Sequence, residues 1–172
     1  MNSYDIYKQA NNLMMKYGTT DPVKLARSMG IMLYNEDLLE NLLGMYTYRW
    51  KHRIIIMNPN INDTLYKMVV AHEIGHDQRH RLLAGDGMKE FELFNMTDIT
   101  EYEANAFASH LLMNETDMTE LFKEGYDIAT TAKMLNVNIN LLLIKIQEIN
   151  RLGMNFKIPF DPDPNFFRKT RY

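Results

Sequence analysis

The sequence has no cysteine, a single tryptophan and five prolines, and its formal net charge is only −3. Each shortage removes a class of protein. Without cysteine there is no disulfide scaffold, no thiolate zinc site and no cysteine nucleophile, so only histidine, carboxylate or carbonyl groups could hold a metal. Without a charge excess there is no global footprint for nucleic acid or an anionic membrane surface. No apolar run approaches the roughly 20 residues that span a bilayer. The opening residues, MNSYDIYKQA, lack the layout of a signal peptide. A cytoplasmic location without membrane attachment is expected. What is present is the composition of a globular domain: 172 residues, 46% hydrophobic and 24% charged, enough chain for a real core. The 14 methionines read as adaptable core filler.

Along the chain, Ile6, Tyr7, Ala10, Leu13, Met14 and Tyr17 fall at helical spacing and Gly18 stops them. A second short helix is expected after Asp21 as N-cap, with Pro22 in its first position and Gly30 as its stop. IMLYNE, GMYTYRW and RIIIMN read as three short strands, with WKHR as the hairpin between the last two. The sheet is therefore expected to be small and largely antiparallel. Asn62 or Asp63 can cap a long helix over about 64–83, apolar on nearly all sides and hence central and buried. AGDGMKE breaks that pattern. Further helices are predicted at about 98–113, 116–124, 127–135 and 138–152, followed by an irregular tail rich in proline and charge. The fold class is α+β, a three-stranded sheet packed on a central helix, with helices outweighing the sheet.

The central helix contains VVAHEIGHDQRH, residues 69–80. On a helix, residues four apart share a face, roughly 5–6 Å apart at Cβ. His72 and His76 can therefore reach one zinc ion at about 2.0–2.1 Å. Glu73 lies beside them, where a carboxylate can take a proton from water activated by the metal, the H-E-x-x-H arrangement of metallopeptidases. The alternative is an ordinary buried helix with hydrogen-bonded histidines. Gly75 costs about 1 kcal/mol relative to alanine in a helix, which close packing of a neighbouring helix explains better than substrate contact.

A catalytic zinc takes three protein ligands and leaves one position open. A metzincin would need histidine where Leu82 stands and glycine where Arg79 stands, so that subclass is excluded. His80 is four residues past His76 but about 12 Å along the axis from His72, which suits a supporting or structural role. The third ligand is sought in TDITEYEANAFASHLLM. At helical periodicity Ile99, Ala106 and Phe107 define its apolar face, and Glu103 falls in the middle of that face. Glu101 falls on the opposite, polar side with Asn105 and Ser109. A carboxylate facing a core needs a partner, either a metal or a buried lysine or arginine. Glu103 is accordingly the expected third ligand. His110, two turns further on, is read as packing or support. His80, Tyr46 and Tyr48 are the candidates for stabilising an oxyanion. Nitrogen and oxygen donors suit zinc first and also manganese. GMYTYRW is the expected sheet edge, along which an extended peptide could add as a strand, while RIIIMN is the expected interior strand.

AHEIGHDQRH followed by EYEANAFASHLLM resembles the ImmA/IrrE family of metallopeptidases, as do the preceding strands GMYTYRW and RIIIMN. The resemblance covers roughly residues 20–150. It implies His72 and His76 as metal ligands, Glu73 as the catalytic glutamate and Glu103 as the third ligand. It also implies a regulatory role: cleavage of a helix-turn-helix repressor encoded on a mobile element or in a stress-response system. One departure is Asn114, where the family often has proline. On this reading residues 1–114 form the peptidase core, 115–153 a helical subdomain packed on it, and 154–172 an irregular tail.

IATTAKMLNVNINLLLIKI itself echoes a helix-turn-helix, with Ala132, Leu135, Val137 and Leu142 at packing positions. A major-groove helix needs Arg, Lys, Asn or Gln on its outer face. This one offers two asparagines and then mostly aliphatics, so direct nucleic-acid binding is not expected. Sequence-specific DNA binding and a metal-bearing module that binds a partner without cutting it remain the two alternatives.

Overall fold

The structure is a computed structural model and describes residues 2–37, 39, 42–82, 98–157 and 161–162. Its described elements, in chain order, are α1 (Ser3–Tyr17), α2 (Pro22–Ser28), β1 (Met32–Asn35), β2 (Gly44–Arg49), β3 (His52–Met57), α3 (Asp63–Arg79), α4 (Asp98–Leu112), α5 (Glu115–Lys123), α6 (Ile128–Met134) and α7 (Ile139–Arg151).

Local chemistry explains most boundaries. Asn2, Asp21, Asn62, Asn114, Asp127 and Asn138 each accept a backbone N–H at a helix start, a contact worth about 1 kcal/mol. Gly18 ends α1 in the left-handed conformation, φ 64°. Asn62 rather than Asp63 caps α3, its Oδ1 accepting from Leu65 N–H at 2.8 Å. α3 ends at Arg79, short of the expected 83, and Leu82 is exposed beyond it. The AGDGMKE segment, Leu83 and most of the proline-rich tail lie outside the described residues.

The sheet has the order β1-β3-β2. β2 and β3 form the expected antiparallel hairpin, whose two-residue turn places Trp50 and Lys51 at φ 50° and 64°. Positive φ at both turn residues matches the twist of the strands. β1, however, pairs parallel with β3, so the sheet is mixed rather than largely antiparallel. The chain crosses from one edge to the other between β1 and β2, and nothing in the strands' own residues specifies that neighbour. Among the described residues β3 is interior and β2 an edge.

α3 is the axis of the molecule. Every residue from Met68 to Asp77 is buried, against α2, β2 and β3 on one side and α4 on the other. Asp77 ties helix to sheet. It accepts from Arg53 Nε and Nη2 at 2.8 and 2.9 Å and from Tyr46 Oη at 2.8 Å. Arg53 also donates to the Met29 carbonyl at the end of α2. A buried carboxylate is tolerated because this two-point pairing replaces its lost hydration. α4 is covered by α1 and α7, and α7 buries Leu141 through Ile146.

Candidate metal centre

The first two side chains of the centre come from one turn of α3. His72 and His76 are both buried and their Nε2 atoms lie 3.0 Å apart. The third comes from α4, and it is Glu101. One Glu101 carboxylate oxygen lies 3.5 Å from His72 Nε2 and the other 3.5 Å from His76 Nε2. Ligand atoms of these three residues fall within 4.8 Å of one another.

Glu103, the ligand expected from the sequence, lies elsewhere. Its Oε2 pairs with Arg79 at 3.3 Å and with His80 Nε2 at 3.2 Å. α4 is buried on more than its apolar face: Ala106 and Phe107 are fully buried as expected, but that does not turn the polar residues to solvent. Ile99, assigned to the buried face, is 64% exposed, whereas Glu101, Asn105 and Ser109 are buried. These three are spaced four apart and so form one stripe. The polar face of α4 points inward, at the histidines. The signal was present as a stripe of three polar residues spaced four apart, Glu101, Asn105 and Ser109. The pairing of Glu103 with an arginine is the other partnership open to a core-facing carboxylate.

The donor atoms suit a metal ion. Two unsaturated ring nitrogens brought 3.0 Å apart, with a carboxylate equidistant from both, concentrate lone pairs in a buried place, which a cation relieves. His72 Nδ1 lies 2.8 Å from Asn105 Oδ1. An amide oxygen only accepts, so the hydrogen sits on Nδ1 and the Nε2 lone pair faces Glu101. Burial pushes the His72 pKa down, but the hydrogen bond and charge of Glu101, the charge of Glu73 and the Asn105 contact outweigh it, so the net shift is upward. The donor set of two imidazoles and one carboxylate fits a divalent first-row ion.

Glu73 is also buried, between the two histidines in sequence. Gly75 packs directly against α4: a Cβ there would stand 2.8 Å from the Ala104 carbonyl oxygen. Close helix packing is thus the reason for this glycine.

The candidates for an oxyanion donor fare differently. The Tyr46 hydroxyl is engaged by Asp77, and burial together with that carboxylate drives its pKa well above the usual tyrosine value. His80 is engaged on both nitrogens, by His76 and Glu103. Tyr48 packs half-buried on β2. His110 sits apart from the centre, with the Lys145 ammonium 3.0 Å from its Nδ1 and the edge of Tyr7 against its ring. Burial, reinforced by the Lys145 charge, pushes the His110 pKa down to about 3.

Two helices that bring a His-Glu-x-x-His turn and a separate carboxylate to one point are the framework of a metallopeptidase-type centre. The chain belongs to peptidase family M78, whose model, described as the IrrE N-terminal-like domain, matches residues 26–147. It is also 32% identical over 143 residues to a protein of Bacillus phage phi105 called "Uncharacterized immunity region protein 2", covering 83% of this chain and 90% of that one. Among the described residues, no helix is long and apolar enough to cross a membrane.

Proposed function

We propose that this chain is a metal-dependent endopeptidase that cuts one regulatory protein, a helix-turn-helix repressor, and so relieves repression. The observation that carries the reading is the convergence of His72, His76 and Glu101 beside Glu73. The three converging side chains would hold one divalent ion, zinc first and manganese as an alternative. Such an ion, when bound, supplies an activated water and polarises a carbonyl. The Glu73 carboxylate takes the proton of the attacking water and passes it to the leaving nitrogen, the general acid–base part of the reaction. Asn105 holds the His72 ring in place through the 2.8 Å contact to Nδ1. The regulatory substrate is supported by kinship with the phage immunity-region protein.

The sheet supports one mode of substrate capture. β2 is an edge, so an extended segment can add beside it through main-chain hydrogen bonds. That mode requires a flexible stretch of the partner and favours narrow specificity over general digestion. The DNA-binding alternative loses support from α7, whose central residues Leu141–Ile146 are buried rather than presented to a groove.

The test mixes purified protein, zinc or manganese, and the repressor encoded nearest to it, with Glu73→Gln as control. Fragments from one bond, absent with the variant, are the expected result. Co-purification without cleavage would instead identify a non-cutting partner module, and a specific shift of operator DNA by this chain alone would identify a DNA binder.

A further inference from the structure

His80 and Glu103 have no place in the proposed metal set, yet they form a continuous chain with it. His76 Nδ1 lies 3.1 Å from His80 Nδ1, His80 Nε2 lies 3.2 Å from Glu103 Oε2, and Arg79 Nε and Nη2 donate to the same oxygen at 3.3 Å. We infer that His80 and Glu103 are positioning residues that fix the tautomer of His76 and so aim its Nε2 lone pair at the metal. The inference rests on the metal-centre reading above.

An ionised carboxylate only accepts, so the hydrogen between Glu103 and His80 belongs to His80 Nε2. A neutral imidazole with its hydrogen on Nε2 has a bare Nδ1. That bare nitrogen faces His76 Nδ1, so the hydrogen between the two rings belongs to His76. A neutral His76 with its hydrogen on Nδ1 must present a lone pair at Nε2, the atom 3.0 Å from His72 Nε2. Asn105 does the same for His72 in one step. The ring of His80 carries the effect from Glu103, on the other side of α4 from Glu101, across to the centre. Arg79 anchors the far end. Metal-bound histidines generally have their outer nitrogen held in this way, and loss of the outer partner typically costs 10–100-fold in metal affinity.

The test uses the full chain. Zinc affinity is measured by competition with a chromophoric chelator for wild type, His80→Phe and His80→Gln, and nitrogen-edited NMR of the metal-free wild type reads which ring nitrogen of His76 carries hydrogen. The expected results are Nδ1–H on His76 and a loss of about 10–100-fold in zinc affinity for His80→Phe. His80→Gln should recover most of that loss, because its amide accepts from His76 and donates to Glu103. Melting of the metal-free variants checks their folding, and should His80→Phe not fold, the wild-type spectrum decides alone. Hydrogen on Nε2 of wild-type His76, or a folded His80→Phe within about twofold of wild-type affinity, overturns the positioning role. A wild type that binds no zinc but carries Nδ1–H on His76 would defeat the metal reading while leaving the tautomer assignment intact.

Discussion

Gly75 on α3 and Ala104 on α4 meet so closely that a methyl group on the glycine would lie 2.8 Å from both the Cα and the carbonyl oxygen of the alanine. Ala104 lies three residues past Glu101 on the same face of α4, so a shift of the helix at this contact would move that carboxylate. Alanine is the better helix former by about 1 kcal/mol, yet overpacking a tight contact costs typically 1–3 kcal/mol. Gly75→Ala is therefore expected to be destabilised or at best neutral in urea denaturation, and to bind zinc more weakly because α4 is pushed outward. A clear gain in stability with unchanged zinc affinity would mean that the two helices separate without disturbing the centre.

The two glutamates of the α4 motif and the glutamate of α3 should separate cleanly in zinc titrations. Glu101→Ala is expected to lose zinc affinity beyond the roughly 10–100-fold assigned to an outer partner. Glu103→Gln retains an acceptor for His80 and should fall within that range or below it. Glu73→Gln should bind zinc as wild type does while cleavage falls by about 10²–10⁴-fold. A Glu101→Ala protein that still holds zinc tightly would return the third-ligand role to another group.

The hairpin register makes the edge-strand test specific. In a hairpin closed by a two-residue turn, the Arg49–His52 pair exchanges hydrogen bonds. By alternation the Thr47 N–H points to β3 and the Tyr48 N–H points outward. Thr47→Pro should therefore weaken the sheet. Tyr48→Pro should leave it folded but raise KM for the protein substrate by roughly 2- to 12-fold, the worth of one hydrogen bond of about 0.5–1.5 kcal/mol. Tyr48→Val controls for the lost ring. Equal KM values for the proline and valine variants would place the substrate elsewhere.

Acid should destabilise the protein partly through His110. Its folded pKa, about 3, lies below the ordinary 6.5 because of burial and the nearby Lys145 charge. Between these values the unfolded chain binds the proton and the folded chain does not. Stability therefore rises with pH across that window and is lost as pH falls below about 6.5, at up to about 1.4 kcal/mol per pH unit for one group. Acid acts on many groups of the chain at once, so the comparison must be with a variant. In denaturation at a series of pH values, folded His110→Gln should show a shallower slope over this window. An unchanged slope would mean that His110 is protonated in the folded state.

The helices and strands were legible because their signals are local. Asp21 with Pro22, Asn62, and Gly18 mark helix ends by bonds made within a few residues. The His72–Glu73–His76 turn was legible for the same reason, since spacing along one helix fixes which side chains share a face. Gly75 could be read as a packing contact because glycine in a buried helix has a local cost that needs a neighbour to offset it.

What the sequence could not determine was how α4 turns about its own axis and which strand lies beside β3. Hydrophobic periodicity assumes that polar residues face water. At a metal-type centre they face each other, so Glu101, Asn105 and Ser109 read as the outer face and are in fact buried. Ile99 read as core and is exposed. Glu103 satisfied the same reasoning through a partner from another helix, Arg79, which periodicity cannot supply. The parallel pairing of β1 with β3 likewise depends on a crossover. The sequence alone determined which residues could bind or react. Only the tertiary structure decided which of them meet, because a contact between two elements depends on the rotation and register of both.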